Sequence, residues 1–321
     1  MLDHFIEDLG EGVYAIDTDF QRPRFDAAFL IVEAGRAAFI DTGTNHAVPR
    51  LLTALDQLGL TPAQVDWVIP THVHLDHAGG VGLLMQSLPQ AQMLVHPRGL
   101  RHMVDPRVLW AGAKAVYGEE EMQRSYGRLV PVPAERAVAS HDGQMIELAG
   151  RPLQLIDTPG HALHHHCIWD ARTRGWFTGD TFGLSYREFD SSLGPWILPT
   201  STPVQFDPVA LRASVERMMT FGPECMYLTH YSRVTGVSRL AALMLAEVDD
   251  MVAMALPLRE ADDRHAQLKA GLQSIYLDRL REHGCKLAPE RQLELLALDV
   301  ELNAQGLAIW LDKIKAPAPR P

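Results

Sequence analysis

The chain has 321 residues, and 29 Lys and Arg against 40 Asp and Glu give a formal net charge of −11. That balance argues against a nucleic-acid partner, which needs a basic face, and no run approaches the ~18 apolar residues of a membrane span. A hydrophobic content of 47% suffices for the core of a soluble globular protein, as one large domain or two modest ones.

The first residues, MLDHFIEDLGEG, are acidic and contain no apolar h-region, so no signal peptide is expected and a cytoplasmic location follows. GVYAID at 12–17 and the stretch 27–43 read as strands, the second a hairpin turning at Ala34-Gly35. Val48, Leu51, Leu52, Leu55 and Leu58 form one face of a helix over 47–59. A short buried strand, VDWVIP at 65–70, leads directly into THVHLDHAGG. A helix is expected over 79–88, a strand over 92–96, and irregular helix between 98 and 130. Strands return at 144–148, 152–157, 166–170 and 175–179, followed by a helix at 208–221 and a strand at 224–230. Cys167, Cys225 and Cys285 are odd in number and form no CxxC pair, which predicts reduced thiols.

After residue 236 the pattern becomes wholly helical. Leu240, Leu243, Met244, Val248, Met251 and Val252 form one stripe, stopped by Pro257. Leu268, Leu272, Ile275, Tyr276 and Leu280 form a second. A third runs from Leu293 through Leu307 to Ile314. We therefore divide the chain into a catalytic domain over 1–236 and a helical extension over 237–321, whose last segment, 315–321, is expected to fray. The extension is expected to cover one side of the site and to offer a homodimer surface.

The strongest chemical signal is His72-Val73-His74-Leu75-Asp76-His77. Alternation on extended backbone points His72 and His74 the same way. A turn that Gly79 and Gly80 permit then brings Asp76 and His77 back to the same point. Imidazole and carboxylate together suit zinc, iron and manganese. His161, Asp180 and His230 each follow an apolar strand.

HxHxDH, then PGH, then GD, then a strand-terminal His, resembles the metallo-β-lactamase superfamily over about residues 10–235. The resemblance implies an α/β fold, the four-layered αβ/βα sandwich, here with a C-terminal α-helical extension. It implies one metal on His72, His74 and His161, a second on Asp76, His77 and His230, and Asp180 bridging them. The cofactor expected is thus two divalent metal ions, zinc foremost, with iron or manganese admissible. Two such ions can share a hydroxide nucleophile whose proton passes to Asp76 or Asp180. His165 matches a supporting position often held by His in glyoxalase II-like members, and Asp41 is placed near the site, either orienting a ligand His or capping the next helix. His164 and His166 are read as surface or packing residues, and His96, His102 and His141 as bystanders.

The segment 182–206 is long, aromatic and Pro-rich, and offers Tyr186, Arg187, Phe189 and Trp196 for substrate contact. By resemblance, β-lactamases of this fold lack the bridging Asp and are exported, RNA-processing members prefer basic surfaces, and diiron oxygen reductases carry a flavodoxin domain. What remains is hydrolysis of a small-molecule ester-like bond, a thioester or a lactone or ester. A phosphodiesterase on the same metals, a non-haem iron sulfur (persulfide) dioxygenase and a binding protein with a vestigial site are the alternatives.

Overall fold

The computed structural model describes residues 2–201 and 204–314. The tail 315–321, read above as frayed, lies outside the described residues. Seven strands form the first sheet in sequential order: β1 (Ile6–Asp8), β2 (Val13–Asp17), β3 (Ala27–Glu33), β4 (Arg36–Ile40), β5 (Val65–Ile69), β6 (Gln92–Val95) and β7 (Ala137–Ala139). The first four are antiparallel neighbours, and β4 to β7 pair in parallel. The second sheet holds β8 (Met145–Leu148), β9 (Arg151–Asp157), β10 (His166–Asp170), β11 (Gly175–Gly179), β12 (Cys225–Leu228) and β13 (Ser232–Val234), ordered β13-β12-β11-β10-β9-β8. β1, β7 and β13 are three residues each and escaped the sequence reading, being too short to show alternation.

Period-2 alternation builds the layers. Along β3, Phe29 and Ile31 face Phe177, Tyr227 and Leu155 of the second sheet. Ala28 and Leu30 face outward onto Leu51 and Leu55 of α1 (Val48–Gln57). Beyond β5 come the single turn α2 (Leu75–Ala78), α3 (Val81–Ser87), α4 (Pro97–Val104), α5 (Arg107–Tyr117) and the short α6 (Glu119–Glu121). On the other outer face, Trp176, Met226 and Leu228 pack against Leu211, Val215 and Met218 of α7 (Pro208–Met219). The chain is thus a four-layered αβ/βα sandwich followed by helices.

Those helices are α8 (Val237–Ala255), α9 (Arg264–Glu282), α10 (Pro289–Leu295) and α11 (Ala297–Lys313). The third predicted stripe is broken at Leu296 into α10 and α11. Their apolar faces do not form a separate core. Leu240, Met244, Leu272, Tyr276, Val300 and Leu307 share one continuous cluster with the second sheet and α7. Each large side chain so buried contributes about 1.5–3 kcal/mol. Cys167 and Cys225 are buried and Cys285 half-buried, and all three are free thiols. Among the described residues, no helix is long and apolar enough to cross a membrane.

Candidate metal centre

The site forms where both sheets end. β5 stops at Ile69, extended backbone carries His72 and His74 forward, and α2 folds Asp76 and His77 back over them. Gly79 and Gly80 do not serve through unusual backbone angles, since Gly79 caps α2 at φ −60° and Gly80 precedes α3 at φ −83°. At Gly80 a Cβ would instead lie 2.8 Å from the Thr44 carbonyl oxygen, so close packing explains that residue. From the second sheet come His161 after β9, Asp180 after β11 and His230 after β12. Gly179 has φ +45°, and a Cβ there would lie 2.4 Å from Thr71 Oγ1 and 2.6 Å from His165 Nε2. Only glycine lets Asp180 approach this closely.

Seven side chains converge in two sets. His72, His74, His161 and Asp180 offer ligand atoms within 4.8 Å of one another, as do Asp76, His77 and His230. In the first set His72 Nε2 and His161 Nε2 lie 2.8 and 3.2 Å from His74 Nδ1. Asp180 Oδ2 is 3.4 Å from His161 Nε2. In the second, Asp76 Oδ2 is 3.5 Å from His230 Nε2 and 3.9 Å from His77 Nε2. Asp180 Oδ1 joins that set, 3.3 Å from His77 Nε2 and 3.7 Å from His230 Nε2. Tetrahedral bonds of about 2.0–2.1 Å would separate ligand atoms by about 3.3 Å, so both sets have the spacing of coordination shells. His77 Nε2 and Asp180 Oδ1 are buried without a hydrogen-bond partner. A divalent cation satisfies both, and the residues therefore fit two ions.

Four of the five candidate ligand imidazoles are held from behind. His77 Nδ1 donates to Asp41 Oδ2 at 2.9 Å, and Asp41 also accepts from the Thr71 amide at 2.7 Å and the Thr229 hydroxyl at 2.8 Å. Asp41 thus orients a ligand rather than capping a helix, and it does so from a left-handed backbone, φ 56°. His230 Nδ1 faces the Phe25 carbonyl at 3.0 Å, His161 Nδ1 the Thr200 carbonyl at 3.5 Å and His72 Nδ1 the Thr71 hydroxyl at 3.2 Å. Such partners fix tautomer and direction. His165 stacks on His72 with centroids 4.7 Å apart, and its Nε2 accepts from the Asp180 amide at 3.2 Å.

Electrostatics divides the site. Burial, reinforced by neighbouring histidines, pushes His72 far down and His74 to about 3, leaving them neutral as ligands must be. Burial would lower His77 and His230 too. The carboxylates of Asp180, Asp41 and Asp76 overcome it at His77, and those of Asp76 and Asp180 lift His230 to about 9. Burial would raise Asp76, yet His77 and His230 hold it at about 2. Protons on His77 and His230 stand where a cation would displace them.

Not every candidate reaches the site. Tyr186 lines the cavity above it, together with Asp76, Asp180 and His230. Phe189 and Trp196 are buried against each other, centroids 5.4 Å apart, and Trp196 meets Tyr276 of α9. The Arg187 guanidinium binds the Ser185 carbonyl and hydroxyl and reaches Asp190. None of these three lines a cavity at the site, because loop packing consumes them. His166 is buried rather than superficial, held by Ser140 and the Pro70 carbonyl. His164 and His102 line the apolar groove beside His74. Asp26 and Asp299 were not foreseen. Burial raises Asp26 to about 7 and Asp299 to about 6, and no sequence pattern marks an acid that folding will bury.

Comparison with known proteins gives the family and the fold. The family model described as metallo-beta-lactamase superfamily matches residues 22–230. A hydroxyacylglutathione hydrolase of Acidiphilium cryptum is 25% identical over 280 residues, spanning 86% of this chain and 85% of that one. A solved metallo-beta-lactamase family protein from Thermus thermophilus superposes with a TM-score of 0.63 at 21% identity, covering 90% of this chain and 94% of its own. An archaeal superfamily protein from Sulfolobus tokodaii gives 0.61 at 22% identity, covering 85% and 99%.

Proposed function

Because the chain belongs to the metallo-beta-lactamase superfamily, we propose that it is a dinuclear-metal-dependent hydrolase of a small-molecule thioester, ester or lactone. The observation that carries this reading is Asp180, whose Oδ2 belongs to one ligand set and Oδ1 to the other. Single-iron oxygen chemistry needs only three ligands and open positions. It leaves Asp76, His77 and His230 without employment. The likeness to a hydroxyacylglutathione hydrolase supports a thioester in particular.

His72, His74 and His161 would hold one ion, Asp76, His77 and His230 the other, with Asp180 between them. Bound divalent ions lower the pKa of water towards neutrality and polarise a carbonyl. The chain supplies the rest. Phe20, Phe25, Leu184 and Tyr186 wall the cavity and exclude water. The proton of a water nucleophile would pass to Asp76 or Asp180, of which Asp76 keeps 26% of its side chain exposed against 6%. Asp41, Thr200 and Phe25 keep the imidazoles aimed.

The test is a panel of acyl-thioesters, lactones, aryl esters and bis-aryl phosphodiesters, run beside an oxygen electrode with glutathione persulfide. Turnover of a thioester, ester or lactone without oxygen uptake is expected. Oxygen consumed with the persulfide reassigns the protein to dioxygen chemistry, and turnover confined to phosphodiesters overturns the carbonyl substrate.

A further inference from the structure

Two cavities meet over the candidate ligands, and Asp76, Asp180, Tyr126 and Leu302 line both. The smaller, of ≈ 130 Å³, is walled by the rings of Phe20, Phe25 and Tyr186. The larger, of ≈ 320 Å³, runs along α5 past Leu109 and Ala113. Val108 and Val204 on its rim are 68% and 54% exposed, so this arm opens to solvent through an apolar mouth.

Asp299, on α11, lines the smaller arm and is only 7% exposed. Its Oδ1 accepts from the Tyr186 hydroxyl at 3.1 Å. Its Oδ2 is buried with no partner. An unpaired buried carboxylate oxygen is destabilising, and tying α11 to Tyr186 uses only the other oxygen. Stacking of Tyr186 on Phe25, centroids 5.1 Å apart, and the Arg22 guanidinium 4.5 Å from both ring centroids hold the phenol in place. The arm is therefore a largely apolar chamber whose wall, beyond the candidate ligands Asp76, Asp180 and His230, includes the Asp299 carboxylate with one oxygen unpartnered.

We infer that Asp299, positioned by Tyr186, recognises a hydrogen-bond donor, a hydroxyl or amino group, on a compact acyl group held in the smaller arm, while the larger apolar arm takes the leaving group. Assignment of the acyl half rests on the hydrolase reading. A chamber of ≈ 130 Å³ admits a compact group only, and an elongated leaving group needs the arm that opens outward. Recognition of the donor rests on the unpaired acceptor alone.

The experiment uses the full-length, metal-loaded protein and two readouts. Calorimetry compares binding of 3-hydroxybutyrate and 3-aminobutyrate with butyrate. Kinetics compares the 3-hydroxybutyryl and butyryl thioesters of N-acetylcysteamine. A preference of about tenfold or more for a donor-bearing ligand is expected, and the hydroxyl and amino arms show which donor is taken. Asp299→Leu should erase that preference. Should Asp299→Leu fail to fold, Asp299→Asn, which keeps one acceptor, should lower the preference for the amino ligand more than for the hydroxyl ligand. Equal binding of all three acids, no binding of any, or a preference that survives the substitutions overturns the inference. Preferential binding without thioester turnover keeps the Asp299 site and removes the thioester from the hydrolase reading. Thioester turnover without discrimination does the reverse.

Discussion

The side chain of Asn303 on α11 clasps Ser201. Its Oδ1 accepts from the Ser201 amide at 2.6 Å, and the Ser201 hydroxyl donates to the Asn303 carbonyl at 3.1 Å. Its Nδ2 donates to the Pro199 carbonyl at 3.2 Å. Thr200, caught between, turns its carbonyl to His161. The last helix therefore reaches a candidate metal ligand through one loop.

Asn303→Ala should cost about 1–3 kcal/mol of stability and weaken the ion held by His161 more than the one held by His230. Gly306, one turn on, leaves no room for a side chain, since a Cβ would lie 1.2 Å from the Ser201 carbonyl oxygen. Gly306→Val should lower both stability and metal affinity further. Thermal unfolding with metal titration measures both effects. A fragment ending at residue 236 that proves equally stable and active would remove the coupling altogether.

Metal content is expected to be about two ions per chain. Asp180→Ala should reduce this to one or fewer and lower turnover by about a hundredfold or more, while circular dichroism stays unchanged. Elemental analysis of the replete protein decides. Unaltered content in the variant would make Asp180 a turn residue.

Asp41→Asn preserves a residue type that tolerates positive φ but removes the charge behind His77. Metal affinity should fall about 10–100-fold, the usual loss when an outer partner of a ligand is removed. Competition with a chelator measures it. Affinity equal to wild type would show that a neutral acceptor at position 41 aligns the His77 ring as well as the carboxylate does.

A pH effect arises outside the candidate metal centre. Glu247 of α8 is 2% exposed, and its Oε1 has no partner. Burial pushes its carboxyl well above the ordinary 4.5, against the opposing pull of Arg279. The folded-state value exceeds the unfolded one, so the residue is harmless below the unfolded value. It destabilises increasingly as pH rises above that value. Glu247→Gln should raise Tm by about 2 °C or more near pH 8, with the gain shrinking towards pH 4.5. A gain independent of pH would show that packing, not charge, sets the difference.

The candidate ligand set was legible because seven chemistry-bearing residues follow apolar strands in a fixed order, and the strands themselves show period-2 alternation. Asp41 could be placed near the site but not given a partner, since its contacts with Thr71 and Thr229 span 30 and 188 residues. The substrate wall was mostly illegible. Phe189 and Trp196 are as aromatic as Tyr186, yet they meet each other, and Trp196 also meets α9. Which ring faces a cavity depends on helices distant in sequence, and composition carries no trace of that. Nothing in the sequence marks Asp299, and only the docking of α11 buries it.

The placement of α11 also orders events during synthesis. Every candidate metal ligand lies at or before His230, whereas Leu298, Asp299 and Leu302, which wall the cavities, belong to the final helix. A nascent chain gathers its full complement of ligands well before the ribosome adds the wall. The candidate ligands are therefore translated first, but the loop behind His161 and part of the cavity wall take their places only when α11 docks.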